Sequence, residues 1–380
     1  MQLFSKLPDV KTTIFTQMSA LAKEYGAINL SQGFPDFSPH PKLIEAKCKA
    51  MKQGANQYAP MQGYMPLREK IAEKIQESYD FTCNPQTEIT ITAGATQAIF
   101  TAILTLLNPD EEAILIEPVY DSYLPAIRLC KGIPKFVELN PQDFSIPWGQ
   151  VKKLISKKTK LILINSPHNP TGSTLKKKDL QELEKLTKGT DIFIISDEVY
   201  EHIIFDSQPH ESVLRYPELA KRSFAIFSFG KTYHVTGWKV GYVVAPENLM
   251  NEFRKVHQYN VFCVNLPAQI AFYEILKEKS LYQELGEFYQ QKRDFFQKLL
   301  QSTRFELKKV EGTYFQLVSY AQISEEKDTD FAIRMTKEFG VAPIPLSVFY
   351  SKQNDYNLLR FCFAKENTTL EKAVEKLIKI

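Results

Sequence analysis

The stretch Phe224-Ala225-Ile226-Phe227-Ser228-Phe229-Gly230-Lys231-Thr232-Tyr233 is an apolar run that ends abruptly in a glycine and a lysine. A buried strand followed by a tight turn holds the Lys231 amine at the rim of an apolar sheet. Partial removal from water disfavours an ammonium, lowers the lysine pKa and leaves a neutral amine able to attack a carbonyl. Lys231 is therefore a candidate Schiff-base residue, with a surface lysine after a strand as the plain alternative. Gly230-Lys231-Thr232 also resembles the end of a phosphate-binding P-loop, but that motif needs a glycine five positions before Gly230, where this chain has Ala225.

Upstream, short apolar, largely β-branched runs alternate with amphipathic segments. Strands are expected at Ile89–Thr92, Ala113–Ile116, Lys135–Glu138, Leu161–Ile164, Ile192–Ser196, Phe224–Ser228 and Val240–Ala245. Helical spacing fills intervals such as Thr96–Leu107 and Lys177–Leu186. This rhythm predicts an α/β fold whose large domain is a mostly parallel seven-stranded sheet with helices on both faces. The Lys176-Lys177-Lys178 run reads as a solvated helix start. Beyond about Gln283, a long polar helix leads to expected strands at Thr313–Ser319 and Leu358–Phe363 and helices at Asp328–Phe339 and Thr369–Ile380, a smaller α+β domain. The expected division is 1–45 as an N-terminal arm and part of the small domain, 46–284 as the large domain and 285–380 as the C-terminal small domain.

Composition narrows the classes of function. The chain has 380 residues, a formal net charge of +3 and interspersed charges, so no basic stripe points to nucleic acid. No apolar stretch reaches membrane-spanning length, and Met1 to Lys11 lacks a leader's apolar core, which points to a cytoplasmic protein. Five scattered cysteines without a C-x-x-C pair suit free thiols, and six histidines without ligand spacing argue against a metal site.

In an open sheet of this kind, ligands bind beyond the carboxyl ends of the strands. The residues expected there are Gly94-Ala95-Thr96, Glu117-Pro118-Val119-Tyr120, Asn165-Ser166-Pro167-His168-Asn169-Pro170, Asp197-Glu198-Val199-Tyr200 and Ser228 to Lys231. They match what a pyridine-aldehyde phosphate cofactor requires. A helix opening at Gly94-Ala95-Thr96 offers amides to a phosphate, with Ser228 and Lys239 adding a hydroxyl and a charge. Asp197 after an apolar strand can keep a pyridine nitrogen protonated. Asn169 and Tyr200 can reach a phenolic oxygen, Tyr120 can stack on a ring, and Lys231 supplies the amine. Gln32 to Pro39 is irregular, either a connector or a loop lying against a ligand. In Leu358-Leu359-Arg360-Phe361-Cys362-Phe363 a lone arginine interrupts an apolar strand, either in an internal salt bridge or as a clamp for a substrate carboxylate.

Asp197-Glu198-Val199-Tyr200, followed some thirty residues on by Ser228 to Tyr233 and by Gly237-Trp238-Lys239-Val240-Gly241, resembles the fold-type I pyridoxal-phosphate-dependent class I/II aminotransferases. Asn169-Pro170-Thr171-Gly172 and Gln57-Tyr58 fit the same pattern. Lys11 to Ala22, Ser31 to Phe37 and Ile344 to Phe349 are most similar to the methionine/kynurenine aminotransferase branch, its bacterial methionine members above all. The resemblance implies that Lys231 carries the cofactor and serves as general acid and base, Asp197 pairs with the pyridine nitrogen, and Asn169 and Tyr200 contact the phenolic oxygen. It further implies that Tyr120 stacks on the ring and that Ala95, Thr96, Ser228 and Lys239 hold the phosphate, with Tyr58 reaching it from the neighbouring subunit of a homodimer. Many relatives have arginine at the position of Lys239; lysine there is a feature of the kynurenine branch. Arg360, Asn169 and Gly33 would bind the substrate carboxylate, and Phe15, Tyr64, Phe262 and Phe349 would line an aromatic, acid-free pocket. The implied reaction is ping-pong transfer of the amino group of methionine, or of an aromatic amino acid, to a 2-oxo acid. Alternatives are a kynurenine or glutamine type of aminotransferase and a carbon-sulfur β-lyase on the same fold. A non-enzymatic regulator built on this fold would carry an N-terminal DNA-binding module, whereas this chain starts almost directly at the domain.

Overall fold

The computed structural model describes residues 4–380; Met1 to Leu3, the start of the stretch read for a leader, lie outside the described residues. After a helix at Ile14–Glu24 comes a short strand, β1 (Ile28–Asn29). The large sheet follows, with β2 (Ile89–Thr92), β3 (Glu112–Glu117), β4 (Ile133–Glu138), β5 (Thr159–Asn165), β6 (Phe193–Asp197), β7 (Ser223–Ser228) and β8 (Gly241–Val244). Its spatial order is β2-β8-β7-β6-β5-β3-β4, and β8 alone runs against its neighbours. The seven expected strands are all present, each within one or two residues of the expected span.

Burial explains why these strands read as nearly unbroken apolar runs. Along β5, Leu161 and Leu163 face a layer formed by helices Ala95–Leu106 and Glu247–Asn260, with Ile99, Ile103 and Phe253. The alternating Ile162 and Ile164 face the opposite layer, with Leu180 and Leu183 of helix Lys177–Thr187. A sheet covered on both faces has no solvated side to supply polar alternation.

The C-terminal part builds a second sheet from β9 (Glu306–Leu307), β10 (Phe315–Ser319), β12 (Ile344–Pro345) and β13 (Leu358–Cys362), in the order β12-β13-β10-β9. The strand β11 (Val341–Ala342) pairs parallel with β1, so the N-terminal segment joins the C-terminal part. The helix expected over Asp328–Phe339 is α-helical only to Arg334 and continues as a π-turn over Met335–Phe339, closed by Gly340 at φ +70°. Lys176 departs from its expected role as a solvated lysine: its Nζ donates to Thr174 and pairs with Glu311 at 2.9 Å.

Candidate active site

The register of the parallel strands brings the expected chemistry to one edge. Asn165 at the end of β5 lies beside Asp197 at the end of β6, which lies beside Ile226 of β7; Ser228 pairs with Gly241 of β8. From these ends the chain turns into a cavity of about 400 Å³. Of the residues singled out in the sequence, Phe15, Gly33, Ala95, Thr96, Tyr120, Asn169, Asp197, Tyr200, Ser228, Lys231, Lys239 and Arg360 all line it.

At one end stands the N-terminus of helix Ala95–Leu106. Gly94 precedes it at φ +79° with no side-chain cap, so first-turn amides are left to face the cavity. Gly241 lets the helix start approach the sheet, since a Cβ there would come within 2.5 Å of the Phe227 carbonyl oxygen and 3.1 Å of the Ala95 nitrogen. Lys239, in the left-handed region at φ +54°, brings its ammonium close to Gly94. Uncapped amides, a hydroxyl from Ser228 and a cation together suit a phosphate.

In the middle, Asp197 is buried and accepts from the Tyr123 hydroxyl and from the Val199 amide at 3.3 Å. Burial pushes its pKa up to about 6, against the pull of those donors and of Lys231. Asn165 braces this region by donating to the Asp197 carbonyl at 2.8 Å while its own Oδ1 accepts from the Asn169 amide at 2.9 Å. Burial pulls Lys231 down to about 8, with Arg360 and Lys239 acting the same way and Cys362 and Asp197 opposing. Burial likewise pushes the Tyr120 phenol up to about 12 and Tyr200 higher still.

At the other end lies Arg360, fully buried on β13. Its Nη1 donates to Asn169 Oδ1 at 2.6 Å, its Nη2 donates to the Ser31 carbonyl at 2.8 Å, and its guanidinium stacks 3.8 Å from the centre of the Phe315 ring. Among the described residues its Nε has no partner, and no carboxylate pairs with the guanidinium. Of the two sequence readings, the internal salt bridge is absent and an incompletely satisfied cation is left facing the cavity.

Four expected residues stand apart from this cavity. Tyr58 is 79% exposed and meets Phe262 edge-on at 5.2 Å. Tyr64 donates its amide to Gln269 at 2.7 Å and its ring meets Tyr273. Phe349 lies behind Phe15, with ring centres 5.9 Å apart. The acid-free lining is also corrected, because Asp121, next to Tyr120, lines the cavity with its carboxyl pushed up by burial and held down by Arg360. Tyr123, Asp121 and Tyr314 were not singled out in the sequence. Tyr123, which opens helix Tyr123–Leu129 close to Tyr120 in sequence, offered the one local signal.

The arrangement thus combines an anion cradle, a buried carboxylate, a buried amine of lowered pKa and a buried arginine. Comparison with known proteins agrees with it. Residues 25–377 match the family model described as aminotransferase class I and II. The chain is 49% identical to the methionine aminotransferase of Escherichia coli (strain K12), over 98% of this chain and 97% of that protein. It is 34% identical to the kynurenine–oxoglutarate transaminase of Dictyostelium discoideum, over 97% and 94%. A solved Escherichia coli structure, identified as having a methionine aminotransferase function, superposes with a TM-score of 0.98 at 48% identity, covering all of both chains. The chain belongs to the class I and II aminotransferases, the pyridoxal-phosphate-dependent transaminases of fold type I.

Proposed function

We propose that this aminotransferase moves the α-amino group of methionine, and of aromatic amino acids, to a 2-oxo acid. The observation that carries the reading is the Lys231 amine, buried in one cavity between an uncapped helix N-terminus and an incompletely satisfied arginine. Pyridoxal phosphate, when bound, supplies an aldehyde that condenses with amines and a protonated ring that draws electrons from the substrate α-carbon. Ala95, Thr96, Ser228 and Lys239 would hold its phosphate and Asp197 its ring nitrogen. Asn169 and Tyr200 would hold its phenolic oxygen, with Tyr120 against the ring. Lys231 anchors the group, then takes the substrate α-proton on Nζ and returns it, a task that needs an amine partly neutral near pH 8. Arg360, Asn169 and Gly33 would bind the substrate carboxylate.

Methionine is favoured by Phe15 and Phe315 in the lining and by the 49% identity to an enzyme that bears that name. The kynurenine-branch relative supports aromatic substrates as the second choice. Apolar linings separate such side chains by only about 1–3 kcal/mol, so breadth is expected. Exposed Tyr58 and Phe262 support a homodimer in which each subunit lends Tyr58 to its partner's phosphate site. The division into 1–45, 46–284 and 285–380, supported by the separate sheets and the β1–β11 pairing, and a cytoplasmic location are part of the same proposal. Among the described residues no helix is long and apolar enough to cross a membrane. Lys231→Ala tests the reading: turnover of methionine with a 2-oxo acid should vanish while the variant still binds the cofactor. Release of pyruvate and ammonia from a cysteine conjugate without an amino acceptor would favour the β-lyase instead.

A further inference from the structure

Tyr314 has no part in the chemistry assigned above, yet it holds the Lys231 amine. Lys231 Nζ donates to the Tyr314 hydroxyl oxygen at 2.8 Å and to the Gly33 carbonyl oxygen at 3.2 Å; the Tyr314 hydroxyl donates to the same carbonyl at 2.6 Å. The three groups form a closed cluster. Tyr314 is fully buried, its ring set edge-on to Tyr200 at 5.3 Å and packed on Tyr289 at 5.5 Å, so the phenol has little freedom to turn away. Gly33 is fitted to the cluster as well. A Cβ there would come within 2.6 Å of Phe315 Cζ and 3.2 Å of Tyr314 Cε2, so a side chain would push the carbonyl away from the phenol.

The direction of the hydrogen bonds decides what the cluster does. With the phenolic proton committed to Gly33, the oxygens facing the amine are acceptors, and acceptors stabilise the ammonium form. The other charged and titratable groups facing Lys231 are Asp197 at the end of β6, Arg360 and Cys362 on β13, Lys239 before β8, and Tyr200. None of these is hydrogen-bonded to Nζ; among the described residues only Tyr314 and Gly33 are.

We propose that Tyr314, anchored by the Gly33 carbonyl, is a positioning residue that docks the free Lys231 amine during the proton transfers of the reaction. In the transfer, the substrate C–H bond breaks with its electron pair left on the substrate, the Nζ lone pair takes the proton, and the resulting ammonium is held by the phenol and the carbonyl. This rests on the role proposed for Lys231.

The test compares wild type with Tyr314→Phe, whose folding is verified by near-ultraviolet circular dichroism. In the cofactor-free proteins, acetylation of Lys231 by acetic anhydride is followed against pH by mass spectrometry of the Lys231 peptide. Loss of an acceptor for the ammonium should lower the midpoint by about one pH unit. In the loaded enzyme, kcat with methionine should fall about tenfold or more with KM nearly unchanged, and the isotope effect with α-deuterated methionine should rise. An unchanged midpoint, or an unchanged isotope effect, overturns the proposal whatever happens to kcat. A crystal structure of the cofactor-free wild type with Nζ beyond hydrogen-bond reach of Tyr314 overturns it without any variant. Failure of the Lys231 assignment would show separately, as turnover retained in Lys231→Ala.

Discussion

Arg360 Nη1 donates to Asn169 Oδ1 at 2.6 Å, which makes one unit of two residues 191 positions apart. Commitment of that oxygen leaves the Asn169 side-chain nitrogen free to donate, and both residues line the cavity. The pair can therefore offer a planar set of donors to a carboxylate.

Arg360→Lys keeps the charge and loses the fork. It should lower kcat/KM for methionine by roughly 30- to 100-fold, the equivalent of about 2–3 kcal/mol for a lost charge-assisted hydrogen bond. Steady-state kinetics of the variant check this, and a loss under threefold would remove Arg360 from the carboxylate site.

Asp197 gives an unusual stability signature. Its folded pKa of about 6 lies above the unfolded value of about 3.9. The neutral form is thus favoured by folding, and the associated stability is present below about pH 4 and lost as pH rises through 6. In the cofactor-free protein, Asp197→Asn should be the more stable at pH 8, by up to about 3 kcal/mol, with the difference shrinking below pH 5. Calorimetry across this range checks the sign. Cofactor affinity should move the other way, because a pyridinium loses its counter-charge.

The turn after β6, which carries Tyr200 just beyond Asp197, is held from behind by a buried ion pair. Glu201 pairs with Lys74 at 2.5 Å and accepts from the Tyr79 hydroxyl; Tyr242 also donates to it. Burial alone would raise the Glu201 pKa, but Lys74, His202 and Tyr79 outweigh it and hold the carboxyl at about 2. Glu201→Gln strands Lys74 in the core and should cost about 3–5 kcal/mol, whereas Glu201→Gln with Lys74→Met should recover much of the loss. Chemical denaturation of the single and double variants measures this. In wild type, the contribution from Glu201 is present above about pH 4.3 and is lost as pH falls toward 2.

The sheet was legible in the sequence because strands buried on both faces read as largely apolar runs between amphipathic helices, most clearly in β3, β5 and β7, whereas the edge strand β4 is mostly half-buried and keeps Lys135 and Glu138. The strand-end residues were legible for the complementary reason: Asn169, Asp197, Tyr200 and Lys231 are polar groups placed where an apolar run stops. Tyr314 and Asp121 carried no such mark. Tyr314 stands just before β10 of the second sheet, and only the tertiary approach of Lys231 and the Gly33 loop gives its hydroxyl partners. Asp121 sits in the turn that leads into helix Tyr123–Leu129, like many acidic residues, and it is the tertiary placement of that turn that brings it to the cavity. The two-residue strands β1 and β11 were equally hidden, because pairs so short have no periodicity to read.

Lys231 predicts a pH dependence for cofactor capture. The neutral amine attacks the aldehyde, so capture by the cofactor-free protein should accelerate as pH rises through about 8. Stopped-flow absorbance of pyridoxal phosphate mixed with protein from pH 6 to 9 follows it; a rate flat across that range would mean the amine is not the titrating nucleophile.

The most direct measurement is the visible spectrum of the protein reconstituted with pyridoxal phosphate, before and after methionine is added without any acceptor. Wild type should lose its long-wavelength band and release about one 2-oxo acid per site, while Lys231→Ala should do neither. A wild-type band indifferent to methionine and to aromatic amino acids, or a Lys231→Ala variant that releases the oxo acid at the wild-type rate, would contradict the assignment of Lys231 as the reacting amine.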